Sequence, residues 1–394
     1  MAKAKQIEGL NCDAEALSGI RLVLRTRLGE MCDLRAAALD WKDIEGVHDM
    51  RVASRRLRSA IKDFSGFLGG KKSVPKRRLK EVADALGDVR DQDVAIEALE
   101  KLRAEAGADD VEMGAEVSAG IGHLVEERAS LRHGARVRLV LTVAEGQLAE
   151  LQGKFLTRLE QVGEGGKDGR RGRGAGKAVS FRQAGRKIIA SRVADLQKLS
   201  NSLHHPFDSE PLHDMRIAAK RLRYAMELFA PCWDGTLKSY AHDVSELQSS
   251  LGELRDCDTW IDDLGARLDR NRSGSANGRT SPAGRQEQSR RAAVWLLDHF
   301  TKERGKHFRH ALARWEEWET TNFFARLESI LDQTQQQDEQ QEERQPATGT
   351  GAAGDQESTV AHTSTAAHVS ESVQQPVVND PVIETSPARD THVE

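Results

Sequence analysis

Residues 47–64 read VHDMRVASRRLRSAIKDF and residues 212–229 read LHDMRIAAKRLRYAMELF, and these two stretches decide how the chain folds. Ten of their 18 positions are identical and most of the others are conservative. A second matched pair follows, LGDVRDQDV from Leu86 and LGELRDCDT from Leu251. His48 to His213 is 165 residues and Arg90 to Arg255 is also 165, so the two motifs keep one spacing in both halves. Chance similarity rarely does this, and the chain reads as a tandem duplication.

On a helix of about 100° per residue, His48, Arg51, Arg55, Arg58 and Lys62 form one stripe. Met50, Ala53, Leu57, Ile61 and Phe64 form another on roughly the opposite side. The copy sets His213, Arg216, Lys220 and Arg223 against Met215, Ala218, Leu222, Met226 and Phe229, with Arg56 and Arg221 on the flanks. One face of each helix is thus ready for burial. The other stacks like charges at i,i+3 and i,i+4, which costs helix stability unless an anion compensates. That anion is either an intramolecular carboxylate, with Asp49, Asp91, Asp93, Asp214, Asp256 and Asp258 as candidates, or a ligand. Arginine forks match phosphate oxygens in a bidentate way, so twin rows of them point to a repeating phosphate polymer.

Outward from these motifs, apolar residues keep helical spacing, as in Leu79, Val82, Leu86 and Val89 or Leu237, Tyr240, Val244, Leu247, Leu251 and Leu254. No run alternates with a period of two, so no strands are expected. Helices are expected near 13–40, 47–68, 76–105 and 121–162, and near 179–203, 211–230, 236–270 and 287–332. Residues 163–177 (GEGGKDGRRGRGAGK) read as a basic linker and 271–290 as an inserted loop. The fold class is therefore all-α: a tandem duplication of two antiparallel four-helix bundles, residues 10–162 and 178–332, with pseudo-twofold symmetry around a basic groove. A disordered tail is expected over 333–394, where 11 acidic residues stand against 2 basic ones. The formal charge of −4 thus hides a body, residues 1–332, of +5, which suits an anion binder.

Cys12, Cys32, Cys232 and Cys257 form no CxxC pair, so reduced thiols in a cytoplasmic protein are expected. No apolar run approaches the roughly 18 residues of a membrane span, and MAKAKQIEGL lacks a signal-peptide core. Neither half offers His or Cys at ligand spacing, so no metal and no cofactor is expected. His48 and His213 serve either as anion contacts or as helix-terminal caps.

The blocks HDMRVASRRLR with LGDVRD, and HDMRIAAKRLRYA with LGELRD, resemble the CHAD family, the conserved-histidine alpha-helical domain, over about residues 10–332. The resemblance implies two helical bundles around a basic groove, binding of inorganic polyphosphate and association with polyphosphate granules and their proteins. It carries the binding role onto His48, Arg51, Arg55, Arg56, Arg58 and Arg90, and onto His213, Arg216, Lys220, Arg221, Arg223 and Arg255. Lys62 extends only the first stripe, because Glu227 stands at its matching place. Family members are often fused to a triphosphate-cleaving CYTH domain, whose ExExK signature is not found here, so no enzymatic activity is expected. Nucleic acid is the competing polyanion, though no aromatics interleave the basic residues for base stacking. A metal-dependent polyphosphate or triphosphate hydrolase would need Asp91, Asp93, Asp256 and Asp258 as ligands, and these more readily anchor arginines.

Overall fold

Each motif helix buries the face that its sequence sets aside for burial. In a computed structural model, which describes residues 5–69, 74–109, 111–162, 179–273 and 283–332, VHDMRVASRRLR lies on α3 (Glu45–Asp63) and its counterpart on α8 (Ser209–Phe229). Met50, Ala53, Leu57 and Ile61 are buried on α3, and Met215, Ala218, Leu222 and Met226 on α8. Around them stand α1 (Ala16–Asp33), a short α2 (Arg35–Ala38), α4 (Lys76–Asp109), α5 (Val111–Thr142), α6 (Glu145–Gln161), α7 (Phe181–Gln197), α9 (Leu237–Ser273) and α10 (Ala283–Thr320), followed by a helix over 323–332. Among the described residues the only strand-like pairing is the isolated antiparallel bridge of Glu15 with Ser180. No described helix is long and apolar enough to cross a membrane.

Several boundaries differ from the periodic reading. The helix expected over 121–162 starts at Val111 and breaks at Val143–Ala144 into α5 and α6. The one expected over 287–332 starts at Ala283 and breaks at Thr321–Asn322, where Asn322 takes a left-handed φ of 52°. Part of the expected loop, 283–290, is therefore helical. Elsewhere the signals hold. Ser180 closes a capping box with Gln183 at the start of α7. Past Phe229, the turn to α9 needs Asp234 and Gly235 at φ 50° and 80°. The basic linker over 163–177, residues 274–282 and the acidic tail over 333–394 lie outside the described residues.

The apolar residues do not sort by half. One large core mixes Leu24, Leu28, Leu57 and Leu86 with Ile189, Leu222, Leu247 and Trp315. A smaller core gathers Leu99, Leu102, Ile121, Leu124, Leu264, Leu296 and Phe300 from α4, α5, α9 and α10. Both cores thus draw residues from both halves, so neither bundle is closed on itself. At the middle of the large core, Phe64, Phe181 and Phe229 are fully buried with ring centroids 4.9–6.1 Å apart. Gly19 and Gly185 admit these rings. A Cβ at Gly19 would stand 2.6 Å from Phe181, and one at Gly185 would stand 2.5 Å from Phe229.

One expectation about the cysteines is overturned. Cys32 and Cys257 are free thiols, and burial raises both above the usual thiol range, to about 11 and about 12. Cys12 and Cys232, however, form a disulfide, their Cα atoms 5.4 Å apart across 220 residues. The segment before α1 lies along the start of α7, where Arg182 donates its backbone N–H to the Cys12 carbonyl and pairs with Asp13 at 2.9 Å. The Arg182 guanidinium also donates to the Cys232 carbonyl, so one residue, by its backbone and its side chain, positions both cysteines. Restricting the unfolded chain this way is worth about 2–4 kcal/mol. Replacing Cys12 and Cys232 by serine is expected to lower stability by about that amount in denaturant titrations, and reductant is expected to lose its effect on the variant.

Candidate functional site

The site follows from how apolar and charged residues alternate along the four long helices. On α4 the large core ends near Val89 and the small one begins near Ala95–Leu99, with Arg90, Asp91 and Asp93 between. On α9 the matching break carries Arg255, Asp256 and Asp258. On α5 and α10 it carries Arg128 with Arg132, and Arg304 with His307. A charged belt therefore runs between two dry cores. The basic faces of α3 and α8, which pack against each other as well as against α4 and α9, meet that belt.

The two stripes converge. The Arg51 guanidinium is pulled down to about 10, first by burial and then by the repulsion of Arg55, with Arg216 and Arg90 adding to it. Lys220 falls to about 8 for the same reasons: burial, then Arg55, Arg216, Arg221 and Arg51. Burial also lowers Arg216, with Arg55 and Arg255 pushing the same way. His48 and His213 both drop below the usual imidazole value, mainly through burial, with Arg90 the chief charge acting on the first and Arg255 on the second. Lys62 is lowered by burial, Arg221 and Arg192, although Arg192 is itself paired with Asp63 at 2.6 Å and Asp195 at 3.1 Å. Cations this close raise one another's free energy, and an anion laid among them lowers it.

Partial neutralisation comes from the fold itself. Arg51 Nη2 lies 3.1 Å from Asp91 Oδ1, and Arg90 lies 3.7 Å from Glu45. Asp93, its side chain only 2% exposed, holds Arg132 at 3.3 Å and Arg136 at 3.8 Å. Asp258 holds Arg304 at 2.5 Å. Asp93 and Asp258 thus anchor arginines of the fourth helices, as their positions in the motif suggested. Among the polar atoms buried without a hydrogen-bond partner are Arg216 Nε, His213 Nδ1 and Arg90 Nη1 on the groove, besides Asp93 Oδ2, Asp258 Oδ2 and Arg136 Nε in the anchoring pairs. Unmet donors of this kind are costly, which is the mark of a site completed from outside.

Two carried-over residues stand apart from the cluster. Arg223 is not on the groove: it is buried, bonds Ser245 at 3.0 Å and Glu227 at 3.4 Å, and stacks over Tyr224. Arg56 faces away from the cluster toward α1, 3.6 Å from Glu30, beside the buried Arg27–Glu30 pair. Arg58 is exposed farther along α3. Of the extra cations considered on the fourth helices, Lys306 pairs with Glu303 at 2.5 Å and Arg309 is exposed.

Other features lay beyond the periodic reading. Gly252, in the second copy of the second motif, leaves room for Arg216, whereas a Cβ at its counterpart Gly87 would meet Arg51 only at ordinary contact distance. A Cβ at Gly252 would stand 3.3 Å from Arg216 Nε, and one at Gly87 would stand 3.8 Å from Arg51 Nε. The shared LG in LGDVRD and LGELRD was the signal. Glu45, His48 and Asp49 bring one ligand atom each within 4.8 Å of one another, so they are the described residues best placed to hold a cation. Arg90 beside Glu45 opposes that.

A family model for the CHAD domain matches residues 22–265. Among solved structures, the chain is similar to the CHAD domain from the plant Ricinus communis, at 21% identity and a TM-score of 0.56, covering 78% of this chain and 94% of that one. It is also similar to PptA from Streptomyces chartreusis, at 14% identity and a TM-score of 0.49, covering 77% of this chain and all of the other. No curated protein matches the chain.

Proposed function

Since the chain belongs to the CHAD domain family, we propose that the groove between α3 and α8 binds inorganic polyphosphate and does not cleave it. The contacts we assign are His48, Arg51, Arg55, Arg90, His213, Arg216, Lys220, Arg221 and Arg255, with Lys62 extending the track. The observation that carries this reading is the convergence of Arg51, Arg55, Arg216 and Lys220 from α3 and α8, where burial and then their mutual repulsion bring the lysine down to about 8. A flexible row of phosphates supplies one charge per unit and acceptors for the orphaned donors at Arg216, His213 and Arg90. In the same reading the two halves are duplicated bundles related by a pseudo-twofold axis, which gives a repeating ligand two equivalent rows. Binding of this kind would recruit the protein to cytoplasmic polyphosphate granules. The acidic stretch after residue 332 would then weaken the attraction.

Calorimetric titration with long-chain polyphosphate at physiological salt tests the proposal, with single-stranded DNA as competitor. Tight binding that DNA does not displace supports it. Equal displacement by DNA would turn the reading to a general polyanion site, and phosphate release with magnesium would turn it to a hydrolase.

The pH dependence has a defined sign. Free Lys220 loses its proton near pH 8, and a bound polyanion favours the charged form. Affinity is therefore expected to fall by about tenfold as pH rises from 7.5 to 9. It is expected to rise below pH 6.5, where the groove anion draws protons onto His48 and His213, whose values are lowered in the empty protein. The empty fold behaves oppositely. Lys220 is depressed from 10.5 to about 8, so between those values the unfolded chain binds more protons and stability rises with pH. Lys220→Met is expected to remove both alkaline trends, which titrations and thermal unfolding at pH 7 to 10 would read.

A further inference from the structure

Each copy of the second motif carries two carboxylates, two residues apart, and the fold treats them differently. Asp93 and Asp258 are buried in fixed pairs with Arg132, Arg136 and Arg304. Asp91 and Asp256 are exposed, at matching positions of the two halves. Asp91 reaches Arg51 at 3.1 Å. Among the described residues Asp256 makes no ion pair of its own: burial raises its carboxyl, Arg216 and, less, Arg51 pull it back down, and Asp91 repels it. Asp91 thus holds one groove guanidinium directly, and Asp256 acts on the other only through space.

We infer that Asp91 and Asp256 are built-in counter-ions of the groove, which steady the empty protein and compete with its ligand for Arg51 and Arg216. The inference rests on the groove being an anion site. An exposed ion pair adds little to stability, roughly 0–1 kcal/mol, so structure alone does not call for two of them here. Their effect on an incoming anion is larger, because both carboxylates repel it and Asp91 also occupies a donor that it needs. A polyanion must displace Asp91 from Arg51 and bind against the field of Asp256. The groove is thereby set below its maximal affinity, and its ligand can leave.

The test is Asp91→Asn with Asp256→Asn in the full chain, which keeps side-chain size and removes two negative charges. Long-chain polyphosphate is expected to bind about tenfold or more tightly than to the parent, with the difference shrinking as salt is raised. The empty variant is expected to melt slightly lower. Asp93→Asn serves as contrast: it strips a buried partner from Arg132 and Arg136, so it is expected to lower the melting temperature without tightening binding. Equal or weaker binding by the double variant overturns the inference. If the parent does not bind polyphosphate at all, the proposed function fails by itself. The carboxylates are then read by tripolyphosphate: a larger thermal shift in the double variant than in the parent upholds their role, and an equal shift overturns it.

Discussion

Reversing Arg51, Arg55, Arg216 and Lys220 to glutamate is expected to abolish polyphosphate binding while the far-ultraviolet circular dichroism stays helical. The four side chains act on one another across α3 and α8, so they form one site and not four. A hydrogen bond to a charged group contributes about 1.5–3 kcal/mol, and each reversal replaces attraction by repulsion. Losses of this size at even two positions weaken binding by about a hundredfold to ten-thousandfold. The fold should tolerate the change, because these residues lie outside both apolar cores and already repel one another. Arg77→Glu, at a side chain 94% exposed on the outer face of α4, controls for net charge and is expected to leave affinity nearly unchanged. Retained binding by the fourfold variant would remove the groove from the function.

How much of this site was legible depended on what a helical period can carry. Period and repetition located the two faces of α3 and α8, because burial and charge segregate at 3.6 residues per turn. They could not tell how far each stripe stays on the groove. Arg58 and Arg223 hold the same angle on their helices, yet one is exposed and the other is buried against Ser245 and Tyr224. The substitution of Glu227 for Lys62 held the clue, since a carboxylate four residues after Arg223 pairs with it inside its own half. Arg56 was misplaced for a related reason. Its partner Glu30 comes from α1, whose sequence shows no matching stripe. The disulfide was out of reach, because cysteines 220 residues apart become neighbours only once the segment before α1 lies on α7. The breaks at Val143–Ala144 and Thr321–Asn322 carry no proline or glycine to announce them. Most consequential was the core. Duplication suggested two self-contained bundles, but each half leaves apolar surface that only the other half covers.

That shared core makes the second large prediction: Phe229→Ala is expected to destabilise the whole described body by about 3–5 kcal/mol, in one transition. Phe229 is fully buried at the end of α8, edge-on to Phe64 at 6.0 Å and 4.9 Å from Phe181. Phe64 belongs to α3's end in the first half and Phe181 opens α7 in the second, so truncation opens a cavity lined by both. The backbone beside it is pinned, with Gly185 against the Phe229 ring, so collapse into the gap is limited and the cost falls at the upper end of the range. If the halves were independent bundles, calorimetry would show two transitions with only the later half's shifted. A single transition that moves as a unit is the expected result, because Leu57 and Leu86 share one core with Leu222 and Leu247. The same coupling bears on the groove. Its two rows of cations repel each other, and the aromatic contact between the halves opposes their separation. Loosening that contact is therefore expected to weaken polyphosphate binding even though Phe229 touches no ligand.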